Sequence, residues 1–125
     1  MALVTRSGHP APADVTSPLA SALEGGRGAY GLVQLGRPDL VGRILGARLL
    51  VQAVGTALAA DRLHRHARGG LHALGGAVDV LHGTSMLGLA LVCRRRRGWA
   101  LRQAAGAAVL AAGELALAVS CSRHP

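Results

Sequence analysis

Four polar side chains fall inside long apolar stretches: Arg48, Gln52, Asp79 and Glu114. An ionisable group in such a setting costs about 2.5–3.5 kcal/mol at the centre of a membrane helix, so it is expected to be paired or functional. Arg48 and Gln52 are four positions apart and share a helix face with Gly55 and Ala59. His72, Asp79, Met86 and Cys93 recur at a heptad interval, with His82 about 60° to their side. Gln103, Gly106, Leu110 and Glu114 make a third stripe. Turned inward, these seams form one polar cluster in which Arg48 pairs with Asp79, or less readily with Glu114. The second acid is then protonated, and Gln52 and His82 bond across helices. The same groups could instead line a polar cavity for a proton, an ion or a small ligand. The stripe of His72, Asp79, His82, Met86 and Cys93 contains copper and zinc ligand types, but a heptad interval is what any helix seam produces, and no metal is expected. No nucleophile beside a base and no phosphate loop occurs, so neither an enzyme nor a cofactor is expected.

The elements that carry these residues follow from composition. The chain has 125 residues, enough for one small domain, and 50% of them are apolar, yet Tyr30 and Trp99 are its only aromatics. Charged residues are 16% against a globular average of about 25%, and the net charge is +8 with every cation an arginine. Few charges, strong basicity and an Ala/Leu/Val/Gly mass point to a membrane. Residues 39–60, 70–93 and 98–121 are each long enough to cross a bilayer, which takes about 20 helical residues. None contains proline and none alternates as a strand would, so the expected fold is all-α: a small antiparallel transmembrane bundle over residues 37–121. The third span is rich in Ala and is the weakest by insertion energy. Arg48 sits closer to its own end of the bundle than Asp79 and Glu114 do, and must reach outward to meet them.

Residues 1–17, with Pro10 and Pro12 among Ser, Thr and Asp, read as a flexible tail. No apolar run there matches a signal-peptide core, so insertion is expected to use internal segments. Over 18–36, Gly25, Gly26, Gly28 and Gly31 interrupt the apolar pattern. One or two short interfacial helices are expected, with Tyr30 near the headgroups and a shortened fourth membrane helix as the competing reading. Arg27, Arg37, Arg43, Arg94, Arg95, Arg96, Arg97 and Arg102 then share a face with the N-terminus, against Arg62, Arg65, Arg68 and Arg123 on the other. The positive-inside rule makes the first face cytoplasmic, in a multi-pass protein of the plasma (inner) membrane. Arg94, Arg95, Arg96 and Arg97 followed by Trp99 read as a membrane-surface anchor, cations at anionic headgroups beside an interfacial indole. The run lacks the interleaved aromatics that stack bases, so no nucleic acid is expected. Gly42 with Gly46, and Ala104 with Ala108 and Ala112, form small-residue ridges that allow close helix approach, within the chain or in a homo- or hetero-oligomer. Cys93 and Cys121 match no metal or redox spacing and read as free thiols.

The segments GRILGARLLVQ (Gly42 to Gln52) and LGGAVDVLHGTSMLGLAL (Leu74 to Leu91) resemble small, uncharacterised integral membrane proteins of actinobacteria. In these, an R-x-L-G-A-R-x-L-x-Q helix is followed by an A-x-D-x-x-H helix. The resemblance covers roughly residues 37–120, and Arg43, Gly46, Arg48, Gln52, Asp79 and His82 match the pattern. It implies a helical membrane fold, a full first membrane helix in the relatives, and no known activity. The functional reading is therefore a structural or accessory membrane protein with an inward polar seam. Its alternatives are a small carrier or ligand- or proton-binding protein using Asp79, Glu114 and the histidines, and a soluble basic bundle that binds acidic partners.

Overall fold

A computed structural model of the chain describes residues 16–60 and 62–123, and every regular element among them is helical. Four helices follow one another: α1 (Thr16–Leu35), α2 (Leu40–Ala60), α3 (Arg65–Val92) and α4 (Arg97–Arg123). The last three are long and apolar enough to cross a membrane. Local chemistry sets the breaks. Gly36 N–H donates to Leu32 O and Arg37 N–H to Gln34 O, closing α1 just before Pro38, which cannot continue a helix. Asp39 then caps α2, its Oδ1 accepting the Gly42 N–H at 2.7 Å. Cys93 N–H donates to Leu89 O, and a single 3-10 turn over Arg94–Arg96 leads into α4.

Two expectations change here. Residues 18–36 are not one or two short interfacial pieces: α1 is a continuous helix of 20 residues that runs through all four glycines. Glycine costs a helix about 1 kcal/mol apiece, but packing against α2 outweighs that local preference. The basic segment after α2 is also less of a loop than its composition suggests, because α3 begins at Arg65. The expected tail lies, for residues 1–15, outside the described residues.

The helices form two hairpins. A side chain at Gly28 would meet Ala53, and one at Gly31 would meet Gly46 and Leu49, so α1 and α2 run antiparallel. Gly69 lies beside Cys121, Gly76 beside Glu114 and Gly83 beside Ala107, which makes α3 and α4 antiparallel as well. Backbones come close within each hairpin and only locally between hairpins. The start of α1 is therefore at the same end as the α2–α3 connection, opposite Arg94–Arg96. This reverses, for the first described residues, the expectation that the N-terminal side shares a face with the arginine run. The physical reason is that α1 forms a full antiparallel partner for α2.

The distribution of side chains is inverted relative to a water-soluble bundle. The largest fully buried side chains are Arg27, Leu117, Gln34, Glu114 and Asp79, four of them polar, while Val92, Leu91 and Val51 are 83%, 78% and 74% exposed. Among the described residues the apolar part of the core is small: Leu45, Leu49 and Ala53 on α2, Ala90 on α3, and Ala100, Ala104, Ala107, Ala111, Leu117 and Cys121 on α4.

Gly46 shows how tightly small residues draw the first hairpin together. A Cβ there would lie 2.5 Å from Gly31 O and from Leu35 N, backbone atoms that cannot swing aside. Gly55, on the same helix, has nothing within 4 Å of its Cβ position. Gly46→Ala is expected to lower unfolding stability in detergent by about 1–3 kcal/mol. Gly55→Ala should be neutral or gain up to about 1 kcal/mol from helix propensity. Equal effects of the two substitutions in a denaturant titration would show that the α1–α2 contact is not made.

Candidate functional site

The centre of the bundle is an ion cluster that joins the hairpins. Its hub is Arg27, on α1, whose side chain is 0% exposed. Arg27 Nη1 donates to Glu114 Oε1 on α4 at 2.6 Å and to Glu24 Oε1, one turn back on α1, at 2.9 Å. Arg27 Nη2 donates to Asp79 Oδ2 on α3 at 2.7 Å. Arg48, on α2, donates from Nη2 to the other Asp79 oxygen at 3.2 Å. Glu114 completes the chain through its second oxygen, 2.6 Å from His72 Nδ1 on α3. All four helices thus contribute a charged or ionisable group, and the planar guanidinium of Arg27 presents the fork of donors that can hold two carboxylates at once.

Each position has a local cause. Glu24, Arg27, Gly31 and Gln34 recur at three- and four-residue intervals, so α1 turns one polar stripe toward the bundle. The α4 face that is buried runs Ala100, Gln103, Ala104, Ala107, Ala111, Glu114, Leu117, Cys121. Alanines at its contacts let α3 approach closely enough for His72 to reach Glu114. Gly75 and Gly76 do the same from the α3 side: a Cβ at Gly75 would lie 2.8 Å from Glu114 Oε1.

The residues singled out from the sequence are brought together unequally. Asp79, Glu114 and His72 are buried at the cluster. Arg48 does bond Asp79, but its side chain is 29% exposed and it plays the smaller part. Gln52 and His82 are half-buried at the margin, and Gln52 Nε2, His82 Nε2 and Arg48 Nη1 are buried without a protein partner. His82, Arg48, Asp79, Gln103 and Tyr30 line a cavity of about 10 Å³, at the lower limit for one water molecule. Tyr30 is turned into the bundle, where its hydroxyl accepts from Gln34 Nε2 at 2.9 Å. Gly42 packs against Arg37 and Asp39 and Gly46 against α1. Ala104 faces α3, whereas Ala108 and Ala112 are exposed. Arg94, Arg95, Arg96 and Arg97 are exposed at one end of the bundle with Trp99 half-buried beside them.

Arg27 and Glu24 are what sequence reasoning missed. Arg27 stands among glycines in the segment expected to be interfacial, where it reads as one of the cytoplasmic-face arginines. The usable signal was arithmetic: two intramembrane acids faced one intramembrane cation, and the second cation had to be found or the second acid neutralised. The cluster also bears on metal binding. Glu24, His72 and Glu114 bring ligand atoms within 4.8 Å of one another, the one such group among the described residues. Arg27 Nη1 bonds two of those three groups directly, at Glu24 Oε1 and Glu114 Oε1, and so already supplies positive charge where a metal ion would bring it.

Comparison with protein-family models, curated proteins and solved structures finds no match for the chain.

Removing Arg27 takes a bond from each of three carboxylates, whereas removing Arg48 takes one from Asp79 alone, which Arg27 still holds. Arg27→Leu is expected to cost about 3–5 kcal/mol, as for other broken buried pairs. Arg48→Leu should cost less, about 1.5–3 kcal/mol for one charge-assisted bond. Adding Asp79→Leu to Arg27→Leu should restore part of the loss. Folded yield and denaturant midpoints in detergent check the order; a larger loss for Arg48→Leu than for Arg27→Leu would mean that Arg48 is the hub.

Proposed function

We propose that this is a multi-pass plasma-membrane protein with a structural or accessory, non-enzymatic role, in which the Arg27 cluster locks two helical hairpins into one unit. The observation that carries this reading is the inverted surface. Leu and Val cover the outside of three helices of spanning length, while Arg27, Asp79 and Glu114 are buried inside and paired. In water that surface would be an aggregation hazard; in lipid it is the solvated face. A soluble basic bundle would require the opposite arrangement. Membership of the actinobacterial group whose motifs the chain resembles is part of the same proposal.

Arg27 meets Asp79 and Glu114 within two of the apolar spans, so α1 lies alongside them as a fourth membrane helix in this reading. With Arg27 buried, seven arginines remain at the Arg94–Arg97 end (Arg37, Arg43, Arg94, Arg95, Arg96, Arg97, Arg102) against four at the other (Arg62, Arg65, Arg68, Arg123). The first end is cytoplasmic by the positive-inside rule, and its arginine run with Trp99 anchors the protein at anionic headgroups. A second protein or a second copy would pack on the exposed Ala108 and Ala112 ridge, since Gly46 is already used inside the chain.

Two measurements test this. The protein should stay in the membrane pellet until detergent is added; release by high salt alone would sink the membrane reading. In sealed right-side-out vesicles, with Cys93 and Cys121 replaced by Ala, an impermeant thiol reagent should label a cysteine at the exposed position Ser122 and spare one at Arg95. The reverse pattern would invert the orientation.

A further inference from the structure

We propose that His72 and Glu114 form a proton-binding site beside the Arg27 guanidinium. The charge count leads to it. Three carboxylates, Glu24, Asp79 and Glu114, converge on two permanent cations, Arg27 and Arg48. With all three acids ionised and the imidazole neutral, the cluster carries one uncompensated negative charge. The Asp79 and Glu114 side chains are each 1% exposed, so water cannot share that charge. An uncompensated charge in such an interior is the costliest arrangement available, and a single proton abolishes it.

The geometry supplies the proton's place. His72 Nδ1 and Glu114 Oε2 are 2.6 Å apart and both buried, close enough to share a hydrogen in one bond. The imidazole can keep both of its ring protons or pass one to Oε2. In either case the pair holds one proton more than a neutral imidazole and an ionised carboxylate, and the change is simple: cluster of charge −1 plus H⁺ gives a neutral cluster. The groups that face this pair are Arg27 and Glu24 from α1, Arg48 from α2 through Asp79, Asp79 from α3, and the uncharged Gln52. No other cation among the described groups bonded in the cluster takes that role.

An approach for the proton is also present. Between α2 and α3, Arg48, Gln52, Thr56 and Gly75 help to line an open cleft of about 280 Å³. Gly75 is in the wall of this cleft, and a Cβ there would lie 2.8 Å from Glu114 Oε1. The site is thus buried but separated from the cleft only by the thickness of a glycine.

The test uses the full-length protein in detergent micelles near neutral pH. Nitrogen NMR of a ¹⁵N-histidine-labelled variant with every histidine except His72 replaced by Gln reads which ring nitrogens carry hydrogen. Infrared difference spectra against Glu114→Gln and Glu24→Gln read any protonated carboxyl. Hydrogen on both His72 nitrogens, or a protonated-carboxyl band lost in Glu114→Gln and kept in Glu24→Gln, is the expected result. His72→Gln should then shift the proton wholly onto a carboxyl and strengthen that band. A neutral His72 with no protonated carboxyl overturns the proposal. So does a band lost in Glu24→Gln, which would put the proton on the neighbouring acid. Should Glu114→Gln fail to fold, the nitrogen spectrum and the Glu24→Gln comparison still decide.

Discussion

The Arg27 guanidinium is the constraint on which the rest of the arrangement depends. Its two terminal nitrogens bond carboxylates from α3 and α4 while its backbone belongs to α1, so one side chain ties the first hairpin to both helices of the second. Each hairpin holds itself together by close backbone approach at glycine and alanine. Between hairpins the backbones meet only locally, and an open cleft separates α2 from α3. The ions therefore set which faces of the two hairpins meet, more than they add to the energy of either. A buried ion network is weak support for stability in itself, since its desolvation cost is large, but a misaligned hairpin would leave several charges unpaired at once.

This division of labour follows from the solvent. In lipid, apolar side chains gain little by moving from hydrocarbon to a protein interior, so Leu and Val remain outside and cannot select a partner face. Small residues provide close van der Waals contact, and polar groups provide specificity. The chain uses both. Gly31 against Gly46 brings α1 to α2, Gly83 against Ala107 brings α3 to α4, and the carboxylates of Asp79 and Glu114 meet the cations. The lack of large aromatic residues is consistent with this scheme, because bulky rings would hold the backbones apart.

The same cluster links structure to chemistry. Three acids, two arginines and one histidine form a continuous bonded set across four helices. Any change in protonation at His72 or Glu114 changes the electrostatic fit at Arg27, which bonds Glu114 directly, and hence the contact between hairpins. Half-buried His82 and Gln52 and the small cavity beside Asp79 lie at the edge of this set.

The helical class, the three long apolar spans and the burial of Asp79 and Glu114 were legible in the chain, because they depend on local properties: hydropathy over about 20 residues, the absence of interior proline, and the cost of charge in hydrocarbon. The contact of Arg48 with Asp79 was legible for the same reason, although its subordinate rank was not. The continuity of α1 and the role of Arg27 were decided only by tertiary structure. Glycines at 25, 26, 28 and 31 argue locally against a helix, and an arginine among them reads as a surface cation. Two of those glycines, Gly28 and Gly31, let α1 lie against α2, and once it lies there Arg27 faces two carboxylates that come from sequence positions 52 and 87 residues away. Periodicity along one helix tells which of its faces is polar. Which cation on one helix answers which acid on another depends on how the helices are stacked and rotated, and that information exists only when all four are packed.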